Sequence, residues 1–476
     1  MNYPTWVVNG VGGGWIIGIV AIFHVLISHF AVGGGIFLPF TERWARKNKD
    51  QETLDFLKGF SKFFLILTNV FGAISGVGIW FAIGLVAPDA TSSLIRLFTF
   101  VWGLEWGVFL AEIISLVFYY YGWEKMKPET HLKVGWIYAT TAFLSLLTIN
   151  GILTFMLTPG SWPETNKLEN GYFNEGFLPS LIIRTLLCLA LAGIYACLIV
   201  AKMPSESKLR TKLLKYSGKW VVPAYVLLVP VLIWYYSVLP PDALENLLSG
   251  VKGGIAIATE NGGLLSGNVG GTATFTFRAM LVGLIAVVLT GLAVFSGVFL
   301  NPKDFSRAKA GLCLSMIAVF VISFEYTREF LRKPFTIRNY LFSNGVFLDS
   351  VLGENTSGPR IKWSEKNLNK SFISGLKFQP KGSSTGEKMF VAQCMSCHTL
   401  KGYRSMKSRL GDRDSAESVY QTLKMMQKKP SENPYHKYMP PLIGTEEEVR
   451  ALAEYIFESI NSEEKKHTEE NRVPAN

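Results

Sequence analysis

Eight long apolar runs constrain this chain more than any other feature. They are roughly Trp15–Phe40, Phe63–Val86, Leu97–Tyr121, Val134–Leu157, Leu181–Ala201, Val221–Leu239, Ala279–Leu300 and Ala310–Tyr326. Each is close to the about 20 residues that a helix needs to cross a bilayer. In hydrocarbon every backbone N–H and C=O must be bonded inside the protein, which leaves helices or closed barrels. Runs of this length without strict alternation predict helices. The fold class predicted is therefore all-α: a polytopic membrane helix bundle in a lipid bilayer. Charged residues make up only 17% of the chain, against about 25% in soluble proteins.

The net charge of +11 invites a nucleic-acid reading, but the positions of the bases argue against nucleic acid as a partner. The first, third, fifth and seventh connections between the runs hold eighteen Lys and Arg, and the even ones hold only Arg96, Lys167, Lys252 and Arg278. That asymmetry is the positive-inside pattern, with the odd connections cytoplasmic. An even number of spans then predicts that both termini are periplasmic. No Lys or Arg precedes Arg43, so the start of the chain lacks the basic region of a cleaved signal peptide.

The composition changes after the eighth run. The predicted organisation is a membrane domain over 1–349, a polar linker over 350–381, a small soluble domain over 382–460 and a charged tail over 461–476. The soluble domain opens on a predicted helix, Ser384–Cys394, that runs into Cys394, Cys397 and His398 in C-x-x-C-H spacing. That spacing is the attachment signature of a c-type haem: two thiols add to the haem vinyls and the histidine takes the iron. Haem attachment of this kind occurs outside the bacterial cytoplasm, where the span count delivers it. The other three cysteines, Cys188, Cys197 and Cys313, lie in apolar runs and read as inert core residues.

The soluble segment resembles a monohaem class I cytochrome c. The resemblance rests on Gly386 and Phe390 in the first helix, the C-x-x-C-H, Met439 in YMPPLIG, and a closing helix over Glu447–Ile460 with Leu452, Tyr455 and Ile456 on one face. It implies one covalent haem c with Met439 as sixth ligand, a thioether that raises the reduction potential. His436, three residues away, is the rival ligand. A linker of this length would hold the domain at an effective concentration on the order of mM.

Ionisable residues inside spans are costly and functional by default. Glu105 and Glu112 lie seven residues apart in the third run and so share a helix face. His24 and His29 lie in the first run, and His131 is expected in a solvated cytoplasmic connection. Arg278 and Met280 open the seventh run, and Glu325, Arg328, Glu329 and Arg332 close the eighth. By the predicted topology His24 and Glu105 lie about 12–15 Å from the outer surface, with Arg278 and Glu329 nearer to it. Imidazole and carboxylate suit haem iron, and guanidinium suits haem propionates.

Residues 15 to about 340 resemble subunit I of cytochrome bd oxidase. The motifs that carry this are FHVLISHFAVGG in the first run, LEWGVFLAEIISLVFYYYGWE in the third, FRAM in the seventh and EFLRKPF after the eighth. The resemblance implies His24 as ligand of a high-spin haem and Glu105 as a haem ligand. It implies Glu112 on the proton path or beside a haem, Glu329 at the high-spin haem with Arg332 at its propionate, and Arg278 with Met280 at a low-spin haem. It also implies one or two non-covalent haems, b and/or d, and a second integral membrane subunit.

Two departures stand out. Arg184 occupies the place of the family's low-spin haem histidine, so that haem is either absent or differently held. The connection SGVKGGIAIATENGGLLSGNVGGTATF is glycine-rich and matches no quinol-binding motif. Together they predict a bacterial inner-membrane oxidase that takes electrons through its own periplasmic c haem from a periplasmic cytochrome or redox complex, with Glu105, Glu112 and Glu329 as catalytic residues. The alternative is an electron-transfer subunit that relays electrons between the quinone pool and periplasmic cytochromes.

Overall fold

The computed structural model describes residues 5–260, 272–352, 363–376, 382 and 384–470. Among the described residues, eight helices are long and apolar enough to cross a membrane. They are α1 (Gly13–Lys47), α2 (Gln51–Val86), α3 (Thr99–Gly122), α4 (Pro128–Phe155), α5 (Phe177–Val200), α6 (Lys208–Ser237), α7 (Phe275–Leu300) and α8 (Arg307–Arg332). Each holds one of the eight apolar runs. The helices outrun the apolar stretches because polar turns continue them: Arg46 and Lys47 form the last turn of α1. α2 starts where the Asp50 side chain accepts a hydrogen bond from the Thr53 amide, a standard N-cap.

The chain forms two compact units. One comprises 1–20, 79–96 and 332–476, and the other comprises 21–78 and 97–331.

The second unit is a helix bundle arranged around α1. Gly33, Gly34 and Gly35 are the reason for its closeness. A Cβ on Gly33 would lie 1.8 Å from the Cys188 carbonyl oxygen of α5, one on Gly34 would lie 2.3 Å from the Phe64 ring of α2, and one on Gly35 would lie 2.2 Å from the Tyr138 ring of α4. Small residues let membrane helices approach in this way, where packing has to replace the hydrophobic effect. One turn earlier, Phe30 packs at a tilt against Tyr195 with ring centroids 4.2 Å apart and meets Phe64 edge-on at 5.2 Å. Cys188, Cys197 and Cys313 are buried in this unit.

The glycine-rich connection after α6 differs from the expected loop. Pro241–Glu260 is helical, because Ala243 and Leu247, both buried, recur at helical spacing. Residues 261–271 of the connection lie outside the described residues.

The first unit contains a short antiparallel hairpin, β1 (Phe335–Ile337) and β2 (Leu341–Phe342), with Phe335 opposite Phe342. It also contains α9 (Glu446–Glu470). α9 starts with a capping box: Thr445 Oγ1 accepts from the Glu448 amide, and Glu448 Oε2 accepts from the Thr445 amide. Leu452 and Ile456 of α9 are buried with Met389, Phe390 and Leu423 in one core. A Cβ on Gly386 would lie 2.0 Å from the Ala451 carbonyl oxygen, so glycine sets the crossing of the first and last helices of this domain. The charged tail continues α9 to Glu470, and residues 471–476 lie outside the described residues.

Part of the expected linker is core. Leu368 packs with Phe342, Val346, Val351 and Ile443, and the Gly444 amide donates to the Leu368 carbonyl at 2.8 Å. The Glu448 carboxylate also accepts from the Ser371 hydroxyl at 2.6 Å and from the amides of Phe372 and Ile373. Apolar Leu368 and Phe372 make this segment a packing element despite its polar average. Residues 353–362 and 377–381 lie outside the described residues.

Candidate functional site

The c-haem motif is built by one helix and one tight turn. The Ser384 side chain caps the helix by accepting from the Glu387 amide, and a π turn, Phe390–Cys394, ends it at the first cysteine. The Cys397 and His398 amides both donate to the Cys394 carbonyl, at 3.1 and 2.9 Å. That turn gathers both sulfurs and the imidazole. His398 Nδ1 lies 2.9 Å from the Arg404 carbonyl oxygen. With Nδ1 donating, the tautomer leaves Nε2 bare for iron, the usual way a ligand histidine is oriented. Burial lowers the His398 pKa to about 4, with Arg409 and Arg404 nearby also lowering it, so the imidazole is neutral and able to ligate.

The two thiols differ. Burial pushes Cys394 up to about 12. Burial would also raise Cys397, but the Lys333 ammonium and the hydroxyls of Ser396 and Ser343 bring it below the ordinary thiol value. Met439 and His436 lie on one loop. The Met439 amide donates to the Tyr435 carbonyl at 2.9 Å, and His436 Nδ1 is 2.7 Å from the Asn433 carbonyl oxygen. The donor set and its orientation fit a covalent haem.

In the bundle, His24 Nδ1 lies 3.0 Å from the Ser75 hydroxyl, which leaves Nε2 for iron in the same manner. Gly76 keeps the ring uncrowded, since a Cβ there would come within 3.2 Å of His24 Cε1. Glu105 accepts from the Ser145 hydroxyl at 3.2 Å, and Glu112 from the Tyr138 hydroxyl at 3.2 Å. Among the described residues no three His, Cys, Asp or Glu side chains gather as a metal cage. Separated donors suit iron that brings its own porphyrin nitrogens.

These contacts belong to a regular polar row between α3 and α4. Glu105, Glu112 and Tyr119 recur every seven residues on α3, and Ser145, Tyr138 and His131 recur every seven on antiparallel α4. The innermost rung corrects the reading of His131 as solvated. Its ring is fully buried, with Nε2 2.9 Å from the Tyr119 carbonyl oxygen and Nδ1 2.9 Å from Glu42 Oε1. Glu42 also accepts from Arg46 Nε at 2.7 Å and from the Tyr119 hydroxyl at 2.9 Å. His131 is buried because α4 starts at Pro128, so it falls in the first helical turn and not in a loop.

Arg184 is not vacant for other work. Its Nη2 lies 3.0 Å from Glu325 Oε1, and Arg328 Nε lies 2.8 Å from Glu325 Oε2. Glu325 and Arg328 are therefore part of a buried cluster and not a surface pair. A guanidinium held by a carboxylate offers no lone pair to iron, so this position does not fit the family's low-spin haem ligand. His29 is buried nearby on α1, and its Nδ1 has no hydrogen-bond partner among the described residues. Arg184 Nε and Arg328 Nη1 are likewise buried without one.

Arg278 and Met280 lie in the early turns of α7, and both are half-buried. Glu329 is half-buried in the last turn of α8, which ends at Arg332, whose Nη1 donates to the Thr336 carbonyl at 3.1 Å. Neither the Arg184–Glu325 pairing nor the α3/α4 row was read from the sequence. The seven-residue repeats were the available signal for the second, and nothing in the sequence linked positions 184 and 325.

Residues 14–235 match the family model described as cytochrome bd terminal oxidase subunit I, and residues 383–458 match the model of cytochrome c. The first match includes His24, Glu105, Glu112 and the Arg184 position, and ends before α7 and α8. No curated protein matches the chain. Among solved structures, the bd oxidase from Geobacillus thermodenitrificans is similar in fold, with a TM-score of 0.59 at 14% identity, covering 70% of this chain and 90% of that one. These matches support haem c in the tail, haem b or d in the bundle, and residence in a bacterial inner membrane. Residues 14–235 are therefore a cytochrome bd oxidase subunit I-like segment and residues 383–458 a cytochrome c domain, which together make the chain a respiratory haem protein of the membrane.

Proposed function

We propose that the chain is the dioxygen-reducing subunit of a respiratory oxidase whose electrons enter through its own c-haem domain. One observation supports this best. His24, on a helix within the bd-family match, is held at Nδ1 by Ser75 with Nε2 left for iron, while the same chain carries a complete c-haem motif. Haem, when bound, supplies one-electron transfer and, at a five-coordinate iron, dioxygen binding. The protein's residues do the rest. His398 and Met439 would ligate the c-haem iron. His24, Glu105 and Glu329 would offer iron donors in the bundle, where one or two haems b or d are expected, and Arg332 would pair with a propionate.

Reducing dioxygen to water consumes a proton with every electron, and the α3/α4 row is suited to deliver them. Glu112 is the carboxylate in the middle of that row, bonded to the Tyr138 hydroxyl, and its role is to take a proton from the inner rung of Tyr119, His131 and Glu42 and pass it outward. The proposed orientation puts that rung on the cytoplasmic side and the c-haem domain and both termini in the periplasm. A second integral membrane subunit and a periplasmic cytochrome donor complete the assembly. An oxygen electrode with reduced cytochrome c as donor tests the reading. Oxygen uptake is expected, whereas a pure relay would reoxidise its donor only with quinone or another carrier present.

A further inference from the structure

Within the first unit, the chain's own segments cover one edge of the c-haem motif. Cys397 Sγ, the atom that becomes a thioether sulfur on haem attachment, lies 3.9 Å from Lys333 Nζ and 3.9 Å from the Ser343 hydroxyl. Further along the same loop, the Tyr403 amide donates to the Gly10 carbonyl at 2.8 Å. The Tyr403 ring meets Trp15 edge-on at 5.5 Å. A Cβ on Gly402 would lie 1.8 Å from the Gly10 carbonyl oxygen, so the approach of these two backbones requires glycine.

Lys333 follows the end of α8 directly, one residue after Arg332 and four after Glu329. Trp15 lies in the first turn of α1, nine residues before His24.

We infer that the Cys397 edge of the c-haem site is closed off by Lys333 and Ser343 of the same unit, and that an external protein donor docks on another face. This rests on the oxidase reading for its direction but on the contacts for its geometry. Even a weak redox encounter buries on the order of 1,000 Å² of open surface, which an edge already in contact with two side chains of the same chain does not offer. Lys333 is a positioning residue: it touches the attachment sulfur and sets the local charge. A cation beside the sulfur favours the reduced iron, so neutralising it lowers the reduction potential. The transfer involves one electron lost at the c haem and one gained at the next acceptor, with no bond made or broken.

The test uses the full-length haem-loaded protein with Lys333→Glu and Lys333→Gln, the latter a milder change in case the former fails to mature. The probe is a reduced soluble class I cytochrome c. Stopped-flow reduction of the c haem by this donor is expected to stay within about twofold of wild type in both variants, with unchanged salt dependence. Spectroelectrochemical titration is expected to show a lowered c-haem potential, and onward electron transfer, with its larger driving force, is expected to quicken. A tenfold change in the donor's bimolecular rate would identify this edge as the docking face and overturn the inference, as would an unaltered potential and onward rate. Failure of the oxidase reading would show instead as no oxygen uptake in wild type, with the donor and potential measurements still decisive.

Discussion

Replacing Glu325 with leucine is the sharpest test of the buried charge cluster. Each carboxylate oxygen of Glu325 holds one guanidinium, Arg184 at 3.0 Å and Arg328 at 2.8 Å, and the Arg184 side chain is only 3% exposed. Charge-assisted hydrogen bonds of this kind are worth about 1.5–3 kcal/mol each. Removing the anion alone also strands two cations, and breaking a buried pair costs about 3–5 kcal/mol. Changing Arg184 to methionine in the same protein should recover much of that loss, because one stranded charge disappears with it. The assay is a double-mutant cycle of Arg184→Met and Glu325→Leu, read as unfolding free energy in bicelles. A coupling of about 3 kcal/mol is expected from the Arg184–Glu325 contact. A coupling near the roughly 0.6 kcal/mol average of polar contacts between membrane helices would contradict a buried charge pair here. The b- or d-type haem content per chain should be unchanged by Arg184→Met alone, since Arg184 ligates nothing in this account.

Glu112→Gln removes the proposed proton carrier and should slow oxygen uptake by about 10²-fold or more, with the c haem still reduced at the normal rate by stopped flow; Tyr138→Phe should have a smaller effect in the same assay. Met439→Ala should lower the c-haem reduction potential by removing the thioether, while His436→Ala leaves it in place; the reverse outcome would make His436 the ligand. Gly386→Ala forces a Cβ to within 2.0 Å of the Ala451 carbonyl oxygen and should destabilise the cytochrome c domain by about 1–3 kcal/mol, seen as lower-temperature loss of the c-haem Soret band.

The sequence carried the architecture because membrane spans are written in runs of apolar residues, and all eight appear as helices of spanning length. It carried the c-haem site because that motif is local: the turn at Cys394–His398 closes within its own backbone. It was least informative where partners are distant along the chain. Arg184 and Glu325 are separated by 141 residues, and no periodicity pairs them. His131 looked like a loop residue because Lys125, Lys127 and Lys133 surround it, yet Pro128 starts a helix there and turns the ring inward to Glu42. Residues 363–376 looked like linker because average polarity hides two or three apolar anchors, and Leu368 alone ties the segment to Val351 and Ile443.

The central claim is that this one chain holds a buried, oxygen-reactive haem as well as the c haem. The most direct measurement is the carbon monoxide difference spectrum of the dithionite-reduced, purified protein, taken alongside a pyridine haemochrome count. The account expects one c haem per chain, at least one non-covalent haem, and a carbon monoxide shift from a five-coordinate high-spin iron. A protein whose haems are all six-coordinate and indifferent to carbon monoxide, or one that holds only the covalent haem, would contradict it.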